Sequence, residues 1–141
     1  MLVVLDTNIL VSALLSPFGP PARVLDMLLS GDIRAAYDDR LMAEYREVLA
    51  RAKFSFAPED VATVLAYLEA AGERVTARPL PCVARPLPCA LPDPDDLPFL
   101  EVAAQAEAVL ITGNTAHYPE AVRGEVKVVA PGEFVRAWRR S

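Results

Sequence analysis

The four residues Leu2-Val3-Val4-Leu5, followed at once by Asp6-Thr7-Asn8, restrict the fold more than any other stretch of the chain. An apolar run without polar alternation, rich in β-favouring residues, predicts a strand buried on both faces, as in a parallel sheet covered by helices. A carboxylate at the C-terminal end of such a strand stands in the crevice where open α/β sheets hold their ligands. Residues 9–15 (ILVSALL) continue as a helix, for which Thr7 or Asn8 is a suitable N-cap. Turn and cap chemistry accounts for Asp6-Thr7-Asn8 as well as a ligand site does, so later carboxylates have to decide.

Strand and helix signals then alternate. Ala22 to Leu29 forms a short helix with Val24, Leu25, Leu28 and Leu29 on one stripe, and residues 33–37 (IRAAY) form a second strand. Asp38 and Asp39 open a helix to about Ala52 whose buried stripe is Leu41, Tyr45, Val48, Leu49 and Ala52. Glu44 borders that stripe and can lean toward the sheet crevice. Pro58-Glu59-Asp60 starts a helix that buries Val61, Leu65 and Leu68 and stops at Gly72; Arg74-Val75-Thr76 is a third short strand. Leu97-Pro98 leads into a helix with Phe99, Val102, Ala103 and Ala106 inward. Val109 to Thr112 and Val126 to Ala130 are the remaining strands, and a terminal helix begins at Pro131. The pattern predicts an α/β fold around a central parallel sheet of four to five strands, with 1–141 as a single domain.

Between the third strand and Asp93 the sequence repeats itself, residues 77–83 (ARPLPCV) being followed by residues 84–90 (ARPLPCA). So much proline excludes a helix, and two copies are too few for a repeat architecture. Residues 77–92 are therefore expected to form a surface loop of polyproline character. Its two cysteines, the only ones in the chain, are too few for a disulfide scaffold and lack zinc spacing. No apolar run is long enough to span a membrane and no signal segment leads the chain, so a cytoplasmic protein without membrane attachment is expected.

The balance of 14 basic to 19 acidic residues argues against a polyanionic partner, unless the acids are gathered around cations. They have the addresses for that. Asp6 follows the first strand, Glu44 borders the sheet, Asp93 to Asp96 precede a helix and Asn114 follows a late strand. In a parallel sheet, strand ends and the following helix starts share one edge, so these groups can converge. Oxygen ligands without His or Cys select Mg²⁺ or Mn²⁺, which can acidify a water and neutralise charge on a phosphodiester. Each acid also has a plainer role open to it: Asp96 as N-cap, Asp93 as a turn residue before Pro94, Glu44 as an ion-pair partner of Arg40 or Arg51.

Residues 2–8 (LVVLDTN), Glu44, residues 93–103 (DPDDLPFLEVA) and residues 110–114 (LITGN) followed by His117 and Tyr118 resemble a PIN-domain protein. The likeness runs over nearly the whole chain and is strongest to the bacterial branch of toxin components in toxin-antitoxin pairs. It implies a three-layer α/β/α, Rossmann-like fold and a metal-dependent ribonuclease held in check by an antitoxin. By position, Asp6, Glu44 and Asp96 match the family's main acids, with Asp93 a further one, as catalytic and metal-binding residues. Asn114 stands where many members carry a fourth acid; it can offer a carbonyl but no charge. Thr7, Asn8 and Thr112 would support the acids through hydrogen bonds. The lone His117 reads as a surface or packing residue. Arg40, Arg46, Arg51 and Lys53 are candidates for RNA contact, as are Arg136, Arg139 and Arg140 near the C-terminus. The resemblance also implies a homodimer. Two rival readings are a PIN-like interaction module that has lost catalysis, and a small-molecule phosphatase. The phosphatase lacks a glycine-rich phosphate loop and a second Asp two residues after Asp6.

Overall fold

Strand β1 (Leu2–Leu5) lies at the centre of the sheet, which is why its residues have no polar alternation: Val3 and Val4 are wholly buried and Leu5 nearly so. The computed structural model describes residues 1–77 and 91–140. It places β1 between β2 (Arg34–Tyr37) and β4 (Val109–Ile111), with β3 (Glu73–Arg74) and β5 (Val128–Val129) outermost. All five strands are parallel, in the order β3-β2-β1-β4-β5. The register sets Val3 against Ala35 on one side and against Val109 on the other. From β1 the chain fills the sheet outward through β2 and β3, then returns to β1's other side with β4. That reversal opens the crevice at the C-terminal ends of β1 and β4.

Helices flank the sheet. Helix α1 (Thr7–Leu15) packs on α2 (Pro20–Leu29), and α2 on the terminal helix α7 (Pro131–Arg140). Helix α3 (Asp39–Leu49) packs on α4 (Pro58–Ala71) and on α5 (Leu97–Ala106), which lies against β1, β2 and β4. A short helix, α6 (Glu120–Arg123), precedes β5. Gly72 ends α4 where it meets β2; a Cβ there would come within 2.5 Å of the Ala35 carbonyl oxygen, so only glycine fits.

Some boundaries differ from the sequence reading. Helix α3 stops at Leu49, and Ala52–Phe54 forms a separate 3₁₀ turn. On α4 the buried residues are Val64, Leu65 and Leu68, while Val61 lines an open apolar cavity of about 490 Å³ between α3 and α4. Strand β3 begins one residue earlier than expected, with charged residues on the exposed sheet edge. Neither Thr7 nor Asn8 caps α1: the N-cap position is Asp6, and both side chains are recruited across the crevice. Asp96 occupies the N-cap position of α5 without a capping bond, its carboxylate turned elsewhere. Of the proline-rich repeat, residues 78–90 lie outside the described residues; Leu91, just after it, is buried in the core.

Candidate active site

Asp6 enters the crevice because β1 ends there: its backbone N–H still pairs with the Ile111 carbonyl at 3.0 Å, fixing it beside the end of β4. Its side chain is buried, and one oxygen, Oδ2, accepts the Thr112 hydroxyl at 2.9 Å and the Tyr118 hydroxyl at 3.0 Å. Thr112 is the residue after β4 and Tyr118 lies four residues past Asn114, so both donors come from the far side of the topological reversal. The Asn114 backbone N–H donates in turn to the Thr112 hydroxyl at 3.1 Å. Asn8 accepts the Gly113 N–H at 3.0 Å and ties the start of α1 to the same loop.

Glu44 leans from α3 into this space and accepts a hydrogen bond from the Thr7 hydroxyl. Beneath it on the same helix, the Tyr45 hydroxyl donates to the Leu5 carbonyl at 2.6 Å, locking α3 onto the end of β1. Asp96, at the start of α5, has its Oδ2 at 3.0 Å from His117 Nδ1. When Asp96 is ionised its carboxylate can only accept, and Nδ1 is then the donor. Thr7 thus bonds Glu44, Thr112 bonds Asp6, and Asn8 bonds the loop after β4.

The three acids share one field. Burial raises the pKa of Asp6 above the ordinary value; hydrogen bonds from Thr112 and Tyr118 offset part of this. Burial also raises Glu44, and the charges of Asp6 and Asp95 add to it. Asp96 is pushed up to about 6 by burial and by the charges of Asp6 and Asp93. Tyr118 is raised too, by burial and by its acidic neighbours. Among the described residues, however, no three acid, histidine or cysteine side chains form a ready-made metal cage. The expected convergence is therefore electrostatic, with the acids in one crevice and still spread apart.

Two acids nearby are treated differently. Asp38 N-caps α3 through the Leu41 N–H, and Glu101 is buried on α5; Arg40 bridges them, 2.8 Å from each. Arginine neutralises this pair, whereas uncharged hydroxyls hold Asp6 and Glu44 and leave their charge in place. Asp93 plays its plainer role, its Oδ1 accepting the Asp95 N–H at 3.0 Å. Asn114 is exposed, in the loop that follows β4.

Of the cations proposed for RNA contact, Arg40, Arg46, Arg51 and Lys53 are already engaged. Arg40 bridges Asp38 and Glu101, Arg46 pairs with Glu69, and Arg51 pairs with Glu47. Lys53 sits over the Phe54 ring, 5.0 Å from its centroid. Arg51 also lies beyond the C-terminal end of α3, in the extended residue that leads into the 3₁₀ turn. The sequence reading left out Tyr118 and passed over His117 as a surface or packing residue; their one signal was a pair of hydrogen-bonding residues in the loop after a strand that ends at the crevice.

The raised acids predict a pH dependence. Each holds its proton more tightly in the folded chain than in the unfolded one. The stability this contributes is full below the unfolded values near 4 and is lost as pH rises through the folded values, about 6 for Asp96. Asp96→Asn should therefore melt close to wild type at pH 4.5 and above it at pH 7.5. Allowing for solvent screening, the gap should reach about 1–2 kcal/mol, or roughly 2–8 °C in Tm. Melting curves with the same gap at both pH values would contradict this.

Comparison with known proteins agrees with this architecture. No curated protein sequence matches the chain. Among solved structures, FitAcB from Neisseria gonorrhoeae is similar in fold, with a TM-score of 0.55 at 17% identity, covering 94% of this chain and 99% of that one. The sequence profile of the PIN domain matches residues 2–116, from β1 through the loop that carries Asn114. That span takes in Asp6, Glu44, Asp96 and Thr112 together, and the chain belongs to the PIN-domain family.

Proposed function

We propose that the chain is a metal-dependent endoribonuclease acting as the toxin of a toxin-antitoxin pair. The observation that carries this reading is the trio Asp6, Glu44 and Asp96, buried or half-buried in one crevice with pKa values raised by burial and mutual repulsion. Perturbed acids gathered in a cleft are a signature of functional sites. PIN domains are generally nucleases and generally use divalent metal ions. The donor set fits such an ion: all oxygen, suited to Mg²⁺ or Mn²⁺, with no arginine or lysine among the described residues bonded to Asp6, Glu44 or Asp96.

Asp6, Glu44 and Asp96 would hold the ion, with Asp93 close enough to add its charge. When bound, a divalent ion supplies Lewis acidity, lowering the pKa of a water and offsetting charge on the phosphodiester. The chain's own residues do the rest. Thr112 and Tyr118 orient Asp6, Thr7 orients Glu44, and His117 orients Asp96. Asn114, exposed in the loop after β4, would offer its amide to substrate. Hydrolysis adds the water oxygen to phosphorus and breaks one P–O bond, with no covalent protein intermediate. The toxin role, the antitoxin partner and the homodimer are what the sequence resemblance implies, and a cytoplasmic setting is part of the same proposal. No helix among the described residues is long and apolar enough to cross a membrane.

The test is incubation of a pool of structured RNAs, with single-stranded DNA alongside, in Mn²⁺ and in EDTA. RNA fragments that appear in Mn²⁺ and vanish in EDTA are the expected result; cleavage unaffected by EDTA would overturn it. A second reading, an interaction module without catalysis, is favoured by Asn114 in place of an acid and by the internal engagement of Arg40, Arg46, Arg51 and Lys53. Calorimetry that finds no Mn²⁺ binding at millimolar concentration would select it.

A further inference from the structure

The 3₁₀ turn Thr115–His117 and the residue that closes it, Tyr118, reach two of the three acids at once. Tyr118 donates to Asp6 and its neighbour His117 to Asp96, each at 3.0 Å. We propose that this turn is the positioning element of the site, with His117 and Tyr118 fixing how Asp6 and Asp96 stand relative to each other for a divalent ion. The inference rests on the metal-dependent reading above and goes beyond it by assigning two residues outside the acidic set.

The turn is built to hold still. Its own N–H groups close onto the Asn114 and Thr115 carbonyls at 3.1 and 3.0 Å. At one end Asn114 is bonded to Thr112, which is itself on Asp6; at the other, Arg123 Nε donates to the Tyr118 carbonyl at 2.6 Å. Tyr118 is completely buried, so packing alone would be served by phenylalanine. A buried hydroxyl must find a partner, and this one meets the same carboxylate oxygen that Thr112 already holds. Two donors on one oxygen fix the plane of the carboxylate. Being uncharged, the phenol does this without competing with a cation, as the guanidinium of Arg40 would. Side-chain hydrogen bonds reach one oxygen of each acid among the described residues, Asp6 Oδ2, Glu44 Oε2 and Asp96 Oδ2.

Outer hydrogen bonds of this kind typically change metal affinity by about 10- to 100-fold. The experiment is Mn²⁺ binding followed by electron paramagnetic resonance of the free ion, for wild type, Tyr118→Phe, His117→Ala, His117→Asn and Tyr37→Phe. Tyr37 donates its hydroxyl to the Glu69 carbonyl, away from the acids, and controls for loss of a phenol as such. Tyr118→Phe and His117→Ala should bind Mn²⁺ about 10- to 100-fold more weakly. His117→Asn, which returns an N–H donor near the same place, should recover most of the loss, and Tyr37→Phe should bind as wild type. Wild-type affinity in both Tyr118→Phe and His117→Ala overturns the positioning role alone. Wild type that fails to bind Mn²⁺ overturns the metal-dependent reading and this inference with it. His117 is partly exposed, so its two variants decide the matter even where Tyr118→Phe does not fold.

Discussion

Asp6→Asn should lose Mn²⁺-dependent cleavage by at least about 100-fold, about 2.7 kcal/mol of barrier, while melting above wild type without metal. Both effects have one cause. The asparagine carbonyl can still accept the Thr112 and Tyr118 hydroxyls, so the geometry at the end of β1 survives. What disappears is a buried negative charge that raises the pKa of Glu44 and Asp96 and that an ion would need. Removing it relieves a strained metal-free site and disables it, the usual trade between stability and activity. The check is a pair of measurements on one preparation: initial cleavage rate in Mn²⁺ and Tm in EDTA. Full activity would remove Asp6 from the catalytic set. Lost activity with a markedly lower Tm would mean that the charge holds the fold together instead.

The second large effect lies one layer out. Arg40→Ala should cost about 3 kcal/mol, because Asp38 and Glu101 are both buried and lose the cation between them. With a urea dependence of about 1–3 kcal/mol per molar, the unfolding midpoint should fall by about 1–3 M. Arg40→Lys should recover only part of this, since one ammonium cannot reproduce the guanidinium fork that meets Asp38 through Nε and Nη2 and Glu101 through Nη1. A midpoint unchanged in Arg40→Ala would show that solvent already screens the pair. The role bears on the site as well. Asp38 caps the helix that carries Glu44, and Glu101 lies on the helix that begins next to Asp96, so Arg40 clasps the two together.

How far the sequence could be read depends on the range of the forces involved. Leu2 to Leu5 announced a doubly covered strand because burial on both faces removes polar alternation locally. Asp6 and Glu44 were legible because a strand end and the border of a helical stripe are addresses that spacing defines. The caps were misjudged since Thr7, Asn8 and Asp96 can serve either the adjacent helix or a distant partner, and only the assembled crevice decides which. The same holds for Arg40, Arg46 and Arg51: their charges are visible in sequence, but their carboxylate partners on other elements are not. Tyr118 sits in an aperiodic turn and acts on a residue 112 positions earlier, a relation that no window of sequence contains.

The central strand precedes every other described element in the sequence. Its neighbour β4 and the hydroxyls that hold Asp6 follow 106 and 112 positions after it. Parallel pairing over such a distance is slow and must wait for nearly all of the intervening chain. During synthesis, Asp6 and Glu44 therefore leave the ribosome long before anything orients Asp6. A product cut short before Thr112 carries all three acids and none of the scaffolding that ties Asp6 and Asp96 together. The crevice is thus completed by residues that follow all three acids in the chain, so Asp6 and Asp96 stay unoriented until the segment from Thr112 to Tyr118 has been added.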